Sequence, residues 1–109
     1  MEIRKEWLKG YIDLIILNVL KEHDLYGYEM TKIIKDKSDG LFSLKEGTLY
    51  PALKRLESKD MIQGYWSQNS GEAARRKYYT ITKDGLIVLE EAQIEWTFLK
   101  KIINVFLEV

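Results

Sequence analysis

Apolar residues recur at helical spacing over the first half of the chain and predict three helices. The segment Trp7–Glu22 is apolar almost all round, which predicts a buried helix. A second helix is predicted over Tyr26–Lys37, because a Ser-Asp-Gly sequence follows it as a stop signal. The sequence Ser43-Leu44-Lys45-Glu46 matches a capping box, so we expect a third helix from there to about Ser58. The apolar stripe expected to face the core from this helix consists of Leu49, Leu53 and Leu56.

After the third helix the apolar residues recur at every second position. The segments Ile62–Ser67 and Lys77–Ile81 alternate as strands do, and residues 68–72 between them have the composition of a turn. Thr82 can cap a last helix that runs from Lys83 to the C-terminus. Three helices, a hairpin and a long helix predict a mainly α fold with a β-hairpin, the pattern of a winged helix-turn-helix.

The last predicted helix carries two apolar stripes, of which the chain's own first helix can cover one. The first stripe recurs at alternating intervals of three and four, as in a coiled-coil seam, at Leu89, Ala92, Trp96, Leu99, Ile103 and Phe106. The second lies on another side of the helix, at Ile87, Ile94, Phe98, Ile102 and Val105. A monomer would expose one of them, so a second copy of the chain is the simplest cover. We therefore expect a homodimer whose interface includes Leu89, Trp96, Leu99, Ile103 and Phe106.

Composition excludes several classes of protein. There is no cysteine, and the single histidine, His23, cannot build a zinc site of the usual kind. The sequence has no phosphate-binding glycine loop or HExxH motif, so we expect neither an enzyme nor a metal or other cofactor. The first residues lack the apolar core of a signal peptide, and the longest apolar stretch, Leu14–Leu20, is too short to span a bilayer. A cytoplasmic location without membrane attachment is the expectation.

The charges favour a nucleic-acid partner, although the net charge is zero. Residues 41–80 hold seven Lys or Arg against four Asp or Glu, a surplus of three positive charges between two acidic segments. The cluster Arg75-Arg76-Lys77 repels itself in isolation but gains from counterion release beside a phosphate backbone. The polar side of the third helix could face DNA or could simply be exposed to solvent, and its composition does not favour either. The residues on this side are Lys45, Thr48, Tyr50, Lys54 and Arg55.

Two other kinds of partner compete with DNA at this point. A winged helix used only for protein–protein assembly would leave the cluster Arg75-Arg76-Lys77 unexplained. RNA binding would use aromatic residues exposed on a sheet, but half of the available set must cover the wing's own core. That set is Tyr65, Trp66, Tyr78 and Tyr79.

One long motif gives the chain a specific resemblance. The eleven residues Gly47–Glu57, together with Tyr26–Glu29 before them and Arg75–Gly85 after them, resemble the signature of the PadR family of bacterial transcriptional regulators. The resemblance covers nearly the whole chain. It implies a dimeric winged-helix repressor, with a DNA-binding domain over residues 1–82 and a dimerisation helix over residues 83–109. With one helix after the wing, the chain resembles the short subclass of that family.

The resemblance also implies roles for individual residues on double-stranded DNA. Tyr26 and Tyr28 would touch phosphate at the start of the second helix. Thr48, Tyr50 and Pro51 would face the groove, with Lys54 and Arg55 behind them and Arg75 and Arg76 on the wing. The polar side of the third helix and the wing cluster add Lys45 and Lys77 to the expected DNA contacts. The third helix has no Asn or Gln to pair with adenine, so shape readout would carry more of the selectivity. The two-fold symmetry of a dimer predicts a palindromic operator.

Trp96 lies in the middle of the first stripe and has two interpretations. It can fill the dimer interface as a core aromatic, or it can line a slot for a flat hydrophobic ligand. Some short PadR-like regulators bind such compounds at a dimer pore lined by a tryptophan, so the resemblance raises the second interpretation and implies a small planar inducer. The expected lining is Trp7, Gly10, Leu14, Asn18, Ala92 and Trp96. Lys100 and Lys101 follow the tryptophan, so a preference for cationic ligands is not evident.

Overall fold

Four α-helices and a three-stranded antiparallel sheet make up the fold, in a computed structural model that describes residues 2–67 and 75–108. This confirms the predicted mainly α class with a β-hairpin. The predicted turn over residues 68–72 lies outside the described residues. No described helix has the length and apolar character needed to cross a bilayer. In chain order the elements are a 3-10 helix (Lys5–Leu8), α1 (Ile12–Glu22), β1 (Leu25–Tyr26), α2 (Gly27–Lys37), α3 (Glu46–Ser58), β2 (Ile62–Trp66), β3 (Lys77–Ile81) and α4 (Lys83–Leu107).

The core forms around α1, which packs against α2, α3, α4 and β3. Burial of large aliphatic side chains is the main favourable term, at about 1.5–3 kcal/mol for each. The apolar stripe predicted for α3 is confirmed, since Leu49, Leu53 and Leu56 are all buried. The largest fully buried side chains are Ile16, Leu17, Leu20, Met30, Leu49, Leu53, Leu56 and Ile62.

The sheet has the order β1-β3-β2, so the short strand β1 pairs with the hairpin formed by β2 and β3. Tyr78 on β3 lies between Tyr26 on β1 and Tyr65 on β2 in the register. The next row joins Leu25, Tyr79 and Gly64 in the same way. Neighbouring residues of a strand face opposite sides, and Leu25 and Tyr79 are buried, so the row of three tyrosines faces outward. The strand β1 was not predicted, because two residues are too few to show a period.

Two predicted helix starts are wrong. The first predicted helix is broken at Gly10, whose positive φ of 89° suits glycine, and α1 begins only at Ile12. The capping box predicted at Ser43 does not form, because α3 begins at Glu46 with Lys45 as its N-cap. Leu44, which the prediction placed in the first turn, is instead buried in the core ahead of the helix.

The predicted cap at Thr82 is confirmed. Its Oγ1 accepts a hydrogen bond of 3.0 Å from the Gly85 N–H and donates one of 2.6 Å to the Asp60 carbonyl oxygen. A second hydrogen bond runs from the Thr82 N–H to the Met61 carbonyl oxygen, at 3.0 Å. The start of α4 is therefore fastened to the turn between α3 and β2.

Gly85→Ala should destabilise the fold by about 1–3 kcal/mol, the range for an overpacked site. A Cβ at this position would overlap the Met61 carbonyl oxygen and lie 2.8 Å from Ile81 Cγ1. That cost outweighs the gain of about 1 kcal/mol in helix propensity. Urea unfolding followed by circular dichroism measures the difference. The matched control is Gly47→Ala in α3, where a Cβ meets nothing within 4 Å; equal midpoints for the two variants would contradict the steric argument.

Candidate nucleic-acid interface

The exposed side of α3 lies opposite its buried stripe. Tyr50, Pro51 and Lys54 are exposed there, and Lys45 is exposed at the N-cap. Thr48 is partly buried at the flank. Four of the predicted groove residues are thus open to a partner, and a convex helix face of this kind fits the major groove.

Arg55 is also exposed, but it is paired with a carboxylate of the same chain. Its Nη2 donates a hydrogen bond of 2.8 Å to Asp13 Oδ1 on α1, and this bond and the carboxylate charge raise the pKa of Arg55. The predicted role behind the groove-facing residues therefore competes with an ion pair inside the chain. No local pattern in the sequence indicates this pair, because Asp13 lies 42 residues away.

The first turn of α2 brings three predicted contact residues together. The Tyr50 hydroxyl lies against Gly27, where an added Cβ would be only 2.7 Å from Oη. The Tyr26 N–H donates a hydrogen bond of 3.2 Å to Glu29 Oε1, which caps the helix, and Tyr28 is exposed beside it. The remaining free N–H groups of a helix start carry partial positive charge and favour an anion.

A row of aromatic rings continues from this turn across the outer face of the sheet. Tyr26 stacks on Tyr28 at 6.5 Å and meets Tyr78 edge-on at 5.4 Å, and Tyr78 stacks on Tyr65 at 5.9 Å. At the far end the Tyr65 hydroxyl donates a hydrogen bond of 2.6 Å to Asp24 Oδ2, which raises the pKa of Tyr65. Asp24 was missed in the sequence, since only the sheet brings it to Tyr65.

The two arginines at the base of the wing lie on opposite faces of the sheet. Arg76 places its guanidinium 4.7 Å from the centre of the Tyr26 ring, and Arg75 places its own 5.5 Å from the Trp66 ring. Tyr26 pairs with Tyr78 and Trp66 pairs with Lys77, so the two rings belong to alternate rows. Of the two arginines, Arg76 is therefore the one that contacts the first turn of α2, through the Tyr26 ring.

Lys77 does not project with the arginines. Its Nζ lies 3.3 Å from Glu57 Oε1 on α3 and 5.3 Å from the centre of the Tyr79 ring. The pKa of Tyr79 is raised above its ordinary value because the ring is buried, although the neighbouring ammonium opposes this shift. The predicted wing cluster of three cations is therefore two exposed arginines and one partly exposed lysine that is paired with Glu57.

The predicted ligand residues divide into two groups. A groove of about 730 Å³ runs between α1, α4 and the loop after α2, and four of the six predicted residues line it, namely Leu14, Asn18, Ala92 and Trp96. Trp96 meets Tyr11 edge-on at 5.7 Å. Trp7 and Gly10 do not line this groove, and Trp7 lies instead under the Arg4 guanidinium at 4.8 Å.

The predicted dimer residues also divide. Leu89 is 3% exposed in the core of the single chain, so it has little surface left for a partner. Leu99, Ile103 and Phe106 are exposed, and Phe106 is 79% exposed. The part of the first apolar stripe that is open to a second copy therefore begins at Trp96.

Comparisons with known proteins agree with this architecture. A sequence profile described as the transcriptional regulator PadR-like family matches residues 16–91. A transcriptional regulator from Clostridium thermocellum is similar in structure, with a TM-score of 0.87 and 43% identity over 94% of this chain and 99% of that one. A PadR family transcription regulator from Clostridium difficile R20291 has a TM-score of 0.81 and 47% identity over 90% and 99% of the two chains.

Several curated relatives are longer than this chain. The negative transcriptional regulator PadR of Bacillus subtilis is 31% identical over 70 residues, which are 64% of this chain and 38% of that protein. The uncharacterised protein X of Lysinibacillus sphaericus, in contrast, matches over nearly its full length, with 40% identity over 97% of this chain and 96% of that one.

Tyr65→Phe should lower stability at neutral pH and lose that difference in alkali. The bond to Asp24 raises the folded pKa of Tyr65 above the unfolded value of about 10, so its contribution is complete below that pH and fades as the pH rises through the folded pKa. Urea unfolding over a pH series tests this. Tyr28→Phe is the control, since the Tyr28 hydroxyl has no hydrogen-bond partner among the described residues. A Tyr65 variant as stable as this control at neutral pH would refute the assignment.

Proposed function

The chain belongs to the transcriptional regulator PadR-like family, and on that premise we propose that it is a homodimeric repressor of a palindromic operator, released by a small planar hydrophobic ligand. Family membership makes it a DNA-binding transcriptional regulator rather than an enzyme. The negative action is proposed because the B. subtilis relative is named a negative regulator. Because a bacterial regulator must reach the DNA in the cytoplasm, we propose a cytoplasmic location as well.

The observation that carries the DNA proposal is the convergence of α3 and the wing on the first turn of α2. Tyr50 reaches this turn from α3 and Arg76 reaches it from the wing. A phosphate placed there would meet helix N–H groups, phenol hydroxyls and a guanidinium together. Such contacts fix the orientation of a protein on the duplex and leave base readout to the helix beside them.

α3 is proposed as the helix in the major groove, with Lys45, Thr48, Tyr50, Pro51 and Lys54 towards the DNA. Thr48 can contact a thymine methyl group or a phosphate, and Lys54 can neutralise backbone charge. None of these side chains makes the paired hydrogen bonds that identify adenine. Selectivity therefore rests in part on the shape and deformability of the operator.

The exposed end of α4 supports a homodimer. Beyond Trp96 this helix presents a broad apolar face, which includes Phe98, Ile102, Val105 and Phe106, each more than half exposed. A patch of this kind is uncommon on a monomer. A two-fold axis would pack the exposed end of each α4 against the other copy and leave the groove beside Trp96 open to a ligand. Residues 83–109 would then serve as the dimerisation helix.

The ligand proposal rests on Trp96 and its surroundings. The indole is 48% exposed at the groove, with the Tyr11 ring on one edge and the small side chain of Ala92 one turn earlier. Asn18 places one polar group in a wall that is otherwise mainly apolar, which is how small-molecule sites orient a ligand. A flat aromatic compound between the two indoles of the dimer fits this arrangement.

DNA binding is tested by fluorescence anisotropy with the duplex upstream of the protein's own gene and a random duplex, across a salt series. We expect tight binding that favours the upstream duplex and falls steeply with salt. The double variant Arg75→Ala/Arg76→Ala should weaken binding to both duplexes and reduce the salt slope by about 0.9 for each phosphate that the two arginines neutralise in the wild type.

The control for this experiment is Lys100→Ala/Lys101→Ala, which removes the same charge from exposed positions on α4. Its salt slope should stay near that of the wild type. Weak binding of the wild type to both duplexes alike would reject the repressor and favour a winged helix that binds proteins. An unchanged slope in the arginine variant would remove the wing from the interface.

Trp96→Ala should abolish binding of aminoanthracene, a neutral planar probe followed by its own fluorescence, and should leave the dimer intact in sedimentation equilibrium. Phe106→Asp is the companion variant, because a charge on this exposed ring position should dissociate the dimer and remove the probe site with it. Loss of the dimer in the Trp96 variant would make the indole a structural part of the interface. Unchanged probe binding in that variant would remove the indole from the ligand site.

A further inference from the structure

Lys77 leaves the wing and crosses the neighbouring strand. Its side chain passes over Gly64 of β2 and ends 3.3 Å from Glu57 Oε1 on α3. An added Cβ at residue 64 would overlap Lys77 Cε and lie 3.1 Å from Glu57 Oε2. A Cβ at residue 64 would therefore force the Lys77 side chain to leave its present path to Glu57.

The ion pair of Lys77 and Glu57 lies beside a buried aromatic ring. The Lys77 ammonium is 5.3 Å from the centre of the Tyr79 ring, which is 6% exposed. The two charged side chains are 35% and 34% exposed, so water screens part of their attraction but the ring restricts where the ammonium can move. Lys77 is thus directed towards α3 and away from a DNA backbone at the wing.

We propose that Lys77 is a positioning residue, which sets the angle between the wing and α3 through Glu57 and does not itself contact phosphate. The inference rests on the proposed function and concerns how that function becomes specific. Glu57 lies in the last turn of α3, and Arg76 immediately precedes Lys77 in the chain. A shift of the wing at Lys77 would move Arg76 relative to the groove-facing residues of α3.

A positioning residue and a phosphate contact differ in their salt dependence. Each phosphate contact contributes about 0.9 to the slope of log K against log salt, on any duplex. A positioning residue contributes nothing to that slope. Loss of a positioning residue weakens binding to the operator, where α3 and the wing must make their contacts together. It does not weaken binding to a random duplex, where the contacts are less precise.

The test compares Lys77→Met, Gly64→Ala and the exchange Lys77→Glu/Glu57→Lys with the wild type, in the anisotropy experiment on both duplexes. We expect Lys77→Met to weaken operator binding about two- to fivefold, the range for a partly exposed ion pair. Its salt slope and its binding to random DNA should match the wild type. Gly64→Ala should give the same result with all charges retained, because it displaces the pair sterically. The exchange should restore operator binding in part, since the pair is rebuilt with its signs reversed but a carboxylate at residue 77 is not attracted to the Tyr79 ring.

Three results overturn the inference. A salt slope reduced by about 0.9 in Lys77→Met, with equal losses on both duplexes, would make Lys77 a phosphate contact. Operator binding unchanged by Lys77→Met and Gly64→Ala would remove the pair from specificity. An exchange variant weaker than Lys77→Met would show that charge at residue 77 acts on DNA directly. Circular dichroism checks the fold of each variant, and Gly64→Ala and the exchange decide the matter if Lys77→Met does not fold.

These outcomes are separate from failure of the proposed function. If the wild type itself does not prefer the upstream duplex, the repressor proposal falls and this inference falls with it. If the wild type shows the preference and the variants behave as phosphate-contact variants, only the inference falls.

Discussion

The helix α1 is in contact with every other helix and with the central strand of the sheet, through side chains that are fully excluded from water. Ile16, Leu17 and Leu20 form its buried side and hold α2 and α3 at a fixed spacing. On another side Leu89 docks the first turns of α4. The positions of α3, the wing and α4 are therefore all set relative to one central element.

The sequence predicted the parts of this arrangement that local periodicity controls. The stripe of Leu49, Leu53 and Leu56, the hairpin and the Thr82 cap all follow from spacing within one element. The break at Gly10 was missed, because the residues on both sides of it are apolar and continue the helical pattern. Leu44 misled the prediction of α3 in a related way, since an apolar residue in an extended segment has no local sign that it belongs to the core.

The candidate interface shows the same limit. Tyr26, Tyr28, Tyr50 and Arg76 were predicted from a motif, and the structure brings them to one turn. Arg55 and Lys77 had the right charge and position in the same motif, but each is paired with a carboxylate distant in the chain. A sequence shows how many cations a segment has, whereas only the tertiary fold shows which of them are already paired with a carboxylate.

The placement of Arg75 and Arg76 on opposite faces of the sheet has a consequence for how DNA could be recognised. A ribbon lying along the minor groove with one guanidinium on each side can address both walls of that groove, and so the phosphates of both strands. The separation of those walls depends on base sequence, and A-tracts are the narrow extreme. The contacts of the wing would then depend on the width of the minor groove. This dependence would discriminate between operators where α3 has no side chain to read adenine.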